Sequence, residues 1–127
     1  VATPTVEPVD AFELPDWLGE SEVVWTTAAT VGTPLVPGSL QAAGHELPCD
    51  LQACDRAHPE PVLPEHWRRE AHHAWALAQV LLVEVDGRLT LVVPGVDVSV
   101  DVALEALRRL ARSVGARPDR FAALVRL

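Results

Sequence analysis

The chain has 127 residues, 49% of them hydrophobic, with a net charge of −8 and only two cysteines. That length suits one domain with one core, too few cysteines for a disulfide scaffold, and no apolar run approaches the roughly 18 residues of a membrane span. We therefore expect a soluble, cytoplasmic protein with no membrane partner. The charge is unevenly placed: residues 1–60 hold ten acids against Arg56 alone, whereas residues 106–127 hold Arg108, Arg109, Arg112, Arg117, Arg120 and Arg126 against Asp119.

Residues 1–10 carry Pro4 and Pro8 among small and polar neighbours and are expected to form a mobile leader. The rest, 11–127, is expected to be a single α+β domain. Its first part, an apolar arm over 11–19, crowds Phe12, Leu14, Trp17 and Leu18 together, with Pro15 fit to open a short helix and Gly19 to close it.

Val, Thr and Trp in Glu22–Thr30 predict a strand, and a second extended stretch falls at Ser39–Ala43. In Leu47–Cys54 the alternation puts Leu47, Cys49, Leu51 and Ala53 on one face and Pro48, Asp50, Gln52 and Cys54 on the other. Five extended residues hold Cys49 and Cys54 roughly 16 Å apart, too far to pair. A proline-punctuated loop, Asp55–Leu63, follows.

Pro64 opens a helix whose apolar stripe is Trp67, Ala71, Ala74, Trp75 and Ala78. Val80–Val85 and Leu89–Val93 flank Asp86-Gly87 as a hairpin with two possible registers. A three-residue turn pairing Glu84 with Arg88 is preferred over a two-residue turn pairing Val85 with Arg88. It gathers Leu81, Val83, Leu89 and Leu91 on one face, under Trp67, Trp75, Leu104 and Leu107, and leaves Val80, Leu82 and Val92 on the other. Ser99 caps a helix ended by Gly115, and Pro118 is expected to open a last short helix with Phe121, Leu124 and Val125 inward. The expected order is β-β-β-α-β-β-α-α, a mainly antiparallel sheet with its helices on one face.

The phrases Leu14-Pro15-Asp16-Trp17-Leu18, Ala71-His72-His73-Ala74-Trp75 with Gln79-Val80-Leu81-Leu82, and Asp86-Gly87-Arg88-Leu89-Thr90-Leu91 resemble a family of small uncharacterised actinobacterial proteins. Separately, three strands, a helix, two strands and a helix resemble the element order of secretion-chaperone-like domains. That fold analogy implies dimers that bind unfolded partner segments.

For chemistry, His66, Glu70 and His73 fall within about 60° of one another on the Trp67–Ala78 helix. Two imidazoles and a carboxylate can bind zinc, yet the spacing is that of neither a His-x3-His pair nor a Cys-x2-Cys knuckle. A solvated helix face with no tight metal is the expectation. Cys54 would make a nucleophilic pair only by meeting His58 or His72, and the pattern offers it no oxyanion donors. There is no glycine-rich phosphate loop, so no cofactor is expected. The absence of Lys and the acidic balance weigh against nucleic acid as the partner of the arginine cluster.

These readings converge on a non-enzymatic protein-binding or assembly module, possibly secretion-chaperone-like. Its partner is itself, as a homodimer, or another protein, bound through Phe12, Leu14, Trp17, Leu18, Val80, Leu82 and Val92. The alternative is a small enzyme or metal-dependent protein using the His66/Glu70/His73 face.

Overall fold

The computed structural model describes residues 5–55 and 63–126. Its strands are β1 (Val6–Pro8), β2 (Val23–Thr30), β3 (Leu35–Val36), β4 (Ser39–Ala42), β5 (His45–Ala53), β6 (Leu81–Val85), β7 (Arg88–Val93) and β8 (Phe121–Arg126). The helices are α1 (Trp17–Glu20), α2 (Glu65–Ala76) and α3 (Val100–Ser113), with single 3-10 turns at Ala11–Glu13 and Pro118–Arg120. The strands form one sheet in the order β1-β6-β7-β5-β4-β2-β8, and β3 pairs with β5.

The protein is α+β, but the sheet is mixed and not mainly antiparallel. β5 runs parallel to β7 and β2 parallel to β8. Both parallel pairs follow from helical connections, which release the chain from hairpin geometry. After β5 the chain passes through α2 before making the β6–β7 hairpin, and α3 then carries it across the sheet to β8 at the far edge.

The β6–β7 hairpin closes in the two-residue register, Val85 opposite Arg88 and Glu84 opposite Leu89. Asp86 and Gly87 both take positive φ, 50° and 83°. That is the backbone of the tight Asp-Gly turn whose twist matches the strands. Thr5 braces it, its N–H donating to Asp86 Oδ1 at 3.0 Å while its carbonyl accepts from Asp86 N–H at 2.9 Å. The expected three-residue turn is thereby overturned, and with it the grouping of side chains. Leu82, Leu89, Leu91 and Val93 share a core with Ala103, Ala106, Leu107 and Leu110 of α3. Val83 and Val92 share a second core with Cys54, Leu63 and Ala71, flanked by Leu81, Val85 and Trp67. This part of the sheet thus lies between two helices, α3 on one face and α2 on the other, where helices on one face were expected.

Two further differences lie at the edges. Val6–Pro8, assigned above to the mobile leader, forms β1, antiparallel to β6, with Val6 opposite Val85 and Pro8 opposite Val83. A three-residue edge strand tolerates Pro8, whose missing N–H need not face a neighbour. Residues 1–4 of that leader, and residues 56–62 of the expected loop, lie outside the described residues. At the other edge, Phe121–Arg126 is a strand and not the expected helix. Pro118 starts only a 3-10 turn, after which Phe121, Ala123 and Val125 alternate inward against exposed Ala122 and Leu124. A period of two suits the pleat, and β2 supplies a parallel partner, Val23 opposite Phe121.

The β2–β4–β5 half is organised around Trp25, which is wholly buried and donates Nε1–H to the Cys49 carbonyl at 2.8 Å. The chain bends between β3 and β4 at Pro37-Gly38, where a β-carbon on Gly38 would sit 2.5 Å from the indole. Buried Asp50 fixes the bend, accepting from Gly38 N–H at 3.2 Å and from both Nε and Nη2 of Arg88 at 2.9 Å. The bidentate geometry matches the planar fork of the guanidinium. Ser99 caps α3 as expected, its hydroxyl accepting from Val102 N–H at 3.2 Å.

Candidate functional site

β5 continues past Ala53 as an extended strand end. Cys54 N–H donates to the Val93 carbonyl and Asp55 N–H to the Gly95 carbonyl, both at 2.9 Å. In return, Gly95 N–H donates to Asp55 Oδ2 at 2.6 Å, so the carboxylate is held by the loop that follows β7. α2 crosses above with its buried Ala71 against the sheet, and this directs Arg68 and His72, one turn apart, onto Asp55. His72 Nε2 lies 2.7 Å from Asp55 Oδ1, Arg68 Nη2 lies 3.7 Å from the same oxygen, and Cys54 Sγ approaches it to 3.7 Å. Arg68 Nε is buried without a hydrogen-bond partner among the described residues. An open pocket of about 300 Å³, lined by Asp55, Glu65, Arg68, Arg69 and His72, fronts the cluster.

Burial and then the neighbouring Asp55 carboxylate push the Cys54 thiol up to about 11. For Asp55, burial alone would raise the carboxyl, but the hydrogen bonds from His72 and from Gly95 N–H outweigh it and hold the group below its ordinary value. A thiol that keeps its proton at neutral pH is a poor nucleophile, and His72 is bonded to Asp55 and not to sulfur. The Cys54–His72 encounter considered from the sequence does occur, without the polarity that a catalytic pair requires. His58, the other partner considered, lies outside the described residues. Cys49 is fully buried, and burial raises its thiol far above the ordinary range.

The His66, Glu70 and His73 side chains are all exposed, and His66 packs edge-on against Trp67 at 4.9 Å. Among the described residues, the three metal-ligating groups that converge within 4.8 Å are Cys54, Asp55 and His72. Asp55 and Arg68 escaped the sequence reading. The available signal was the i, i+4 spacing of Arg68 and His72 beside the buried Ala71, opposite a carboxylate at a strand end.

The residues expected to bind a partner scatter. Leu18 is fully buried in the chain's own core, and Leu14 and Trp17 are half-buried beside it. Trp17 stacks on His45 with centroids 5.2 Å apart. Only Phe12 is open, 96% exposed, beside a groove that the arm forms with Arg112–Gly115 at the end of α3. Gly19 makes that approach possible, since a β-carbon there would meet the Val114 carbonyl oxygen at 2.8 Å. Val80, Leu82 and Val92, expected as an uncovered face, are all buried and do not share one: Val80 and Leu82 belong to the core under α3, Val92 to the core under α2.

Part of the arginine cluster is occupied within the chain. Arg109 bonds Glu105 and the end of α2, Arg117 bonds Asp119, and Arg120 donates to the Glu20 carbonyl at 3.1 Å. Among the described residues no helix is long and apolar enough to cross a membrane. No family model, curated protein or solved structure matches the chain.

Proposed function

We propose that the protein is a non-enzymatic assembly module that forms a homodimer by pairing the outer edge of β8 with the same edge of a second copy. The observation that carries this reading is the contrast between the two edges of the sheet. β1 is blunted in the ways that isolated edges usually are: it is three residues long and contains Glu7 and Pro8. β8 has none of these protections from Phe121 to Val125, no strand covers its outer side among the described residues, and Leu124 is 66% exposed. An unprotected edge of this kind is a template for another strand, and antiparallel addition about a two-fold axis makes a closed dimer from one self-complementary patch. We place this role in the cytoplasm, where two free, buried cysteines stay reduced.

The chaperone analogy adds no support, because it rested on an element order that ends in a helix. Among the described residues, the His66/Glu70/His73 alternative has no converging set of metal-ligating atoms behind it.

Sedimentation equilibrium of the full chain at micromolar concentration tests the proposal, with Leu124→Glu as the variant. The exposed position lets the variant fold, and a charge placed on the edge strand disfavours its pairing with another strand. A wild-type dimer that becomes monomeric in Leu124→Glu is expected. A wild-type monomer, or a dimer indifferent to the substitution, overturns the proposal.

A further inference from the structure

We propose that Cys54 Sγ, Asp55 Oδ1 and His72 Nε2 form a three-ligand site for a zinc ion, with the fourth position open to the pocket in front of α2. The geometry is close to what zinc needs. Bonds of about 2.3 Å to sulfur and about 2.0 Å to nitrogen and oxygen, at tetrahedral angles, put donor atoms about 3.3–3.5 Å apart. Here the oxygen is 2.7 Å from the nitrogen and 3.7 Å from the sulfur, and all three donors lie within 4.8 Å of one another. A shift of less than about 1 Å opens the first separation as the ion replaces the shared proton.

The donors also stand on fixed supports. Cys54 and Asp55 are held in register by backbone bonds to Val93 and Gly95, and His72 stands on a helix rooted by Ala71 in the core under α2. The second carboxylate oxygen is already engaged by Gly95 N–H at 2.6 Å. Such an outer contact orients a ligating carboxylate and leaves its other oxygen for the metal. His72 is half-exposed, so an ion has a path in from solvent.

Charge and softness select the ion. A thiolate and a carboxylate cancel the two positive charges of zinc, so Arg68, 3.7 Å from Oδ1, faces a neutral centre. Sulfur and imidazole nitrogen favour zinc over magnesium or calcium, which take oxygen ligands. On binding, the Cys54 proton, and that of Nε2 where present, pass to solvent, and no redox change is involved.

The test is titration of the metal-free full chain with Co²⁺, followed by competition with Zn²⁺ and calorimetry. One equivalent of Co²⁺ should give tetrahedral visible bands and a near-ultraviolet thiolate charge-transfer band, both removed by Zn²⁺. Cys54→Ser should abolish the charge-transfer band. His72→Gln, at a half-exposed position that leaves the fold intact, should weaken zinc binding by more than the roughly 10–100-fold that loss of an outer-shell partner of a metal ligand costs. His66→Ala and His73→Ala should change neither. Absence of stoichiometric uptake, or uptake unchanged in both Cys54→Ser and His72→Gln, overturns the site.

Discussion

The guanidinium of Arg109 lies 3.8 Å from the centroid of the Trp75 ring and donates to the Trp75 and Gln79 carbonyls at 2.8 and 3.0 Å. One side chain of α3 therefore stacks on α2, donates to the Gln79 carbonyl just beyond it, and adds a second donor to the Trp75 carbonyl, which already accepts from Ala78 N–H at 3.2 Å. Arg109→Ala removes the cation–π contact and the donor to the Gln79 carbonyl, and we expect it to destabilise the fold by about 1–3 kcal/mol in urea unfolding. Arg109→Lys should recover only part, because an ammonium cannot stack and reach both carbonyls in the same plane. A loss below about 0.5 kcal/mol for Arg109→Ala would show that the two helices are held without it.

The same arginine sets a pH dependence. Its Nε donates to Glu105 Oε2 at 2.7 Å, and this bond, with the charges of Arg109 and its neighbours, lowers the Glu105 carboxyl from its ordinary value despite partial burial. A depressed carboxyl contributes stability that is present above its unfolded value, 4.5, and is lost as pH falls through the lower folded value. Unfolding free energy plotted against pH should fall more gently on its acid side in Glu105→Gln than in the wild type. Parallel acid limbs would remove Glu105 from the account.

Gly38 and Trp25 make a second close contact. Because an added β-carbon would lie 2.5 Å from a buried indole bonded to Cys49, Gly38→Ala must move either the ring or the β3–β4 bend. The expected loss is about 2–3 kcal/mol, in the usual range for overpacking. Loss or displacement of the Trp25 indole N–H resonance should accompany it. A fully stable variant with that resonance unmoved would mean that the bend has room to spare.

Local rules made the elements around these contacts legible. The alternation of faces in β5 and the Ser99 cap depend on neighbours within a few residues and are where their patterns predict, while α2 starts at Glu65, one residue later than expected, with Pro64 at its N-cap. What the chain does not advertise is pairing at long range. Phe121–Val125 can be read as a short helix until β2 provides a parallel neighbour, and Val6–Pro8 is a strand only because β6 would otherwise be an open edge. The hairpin error was a matter of one residue. A slip by one exchanges the faces of a whole strand, so Val80, Leu82 and Val92 were placed on a single surface that does not exist. The candidate site suffered similarly: Cys54 and His72 were visible as possible partners, but Asp55 between them depends on the bond from Gly95, 40 residues away.

The two-sided sheet is open to direct test at adjacent positions of β7. Leu91 is fully buried under α3 and Val92 fully buried under α2. Leu91→Ala should cost about 2–5 kcal/mol, and Val92→Ala a smaller but definite amount, about 1–3 kcal/mol. In heteronuclear spectra the first should perturb α3 resonances and the second those of Trp67 and Ala71. A surface-like effect at either position, below about 0.5 kcal/mol, would contradict the two-sided arrangement.

Ala78 provides the last test, and its sign is opposite. The residue takes φ of 62° just beyond the end of α2, where the Gln79 N–H reaches back to the Ala74 carbonyl at 2.8 Å. This closure usually calls for glycine, since a β-carbon in the left-handed region costs about 1–2 kcal/mol. Ala78 is exposed, so its methyl group gives up little packing when removed. Against the relief of strain stands the greater freedom of glycine in the unfolded chain, about 0.4–1 kcal/mol. The difference favours the variant: Ala78→Gly should stabilise the protein by up to about 1 kcal/mol and raise its melting temperature by a few degrees. Thermal unfolding followed by circular dichroism decides it, and a lower melting temperature would show that the alanine conformation there is not strained.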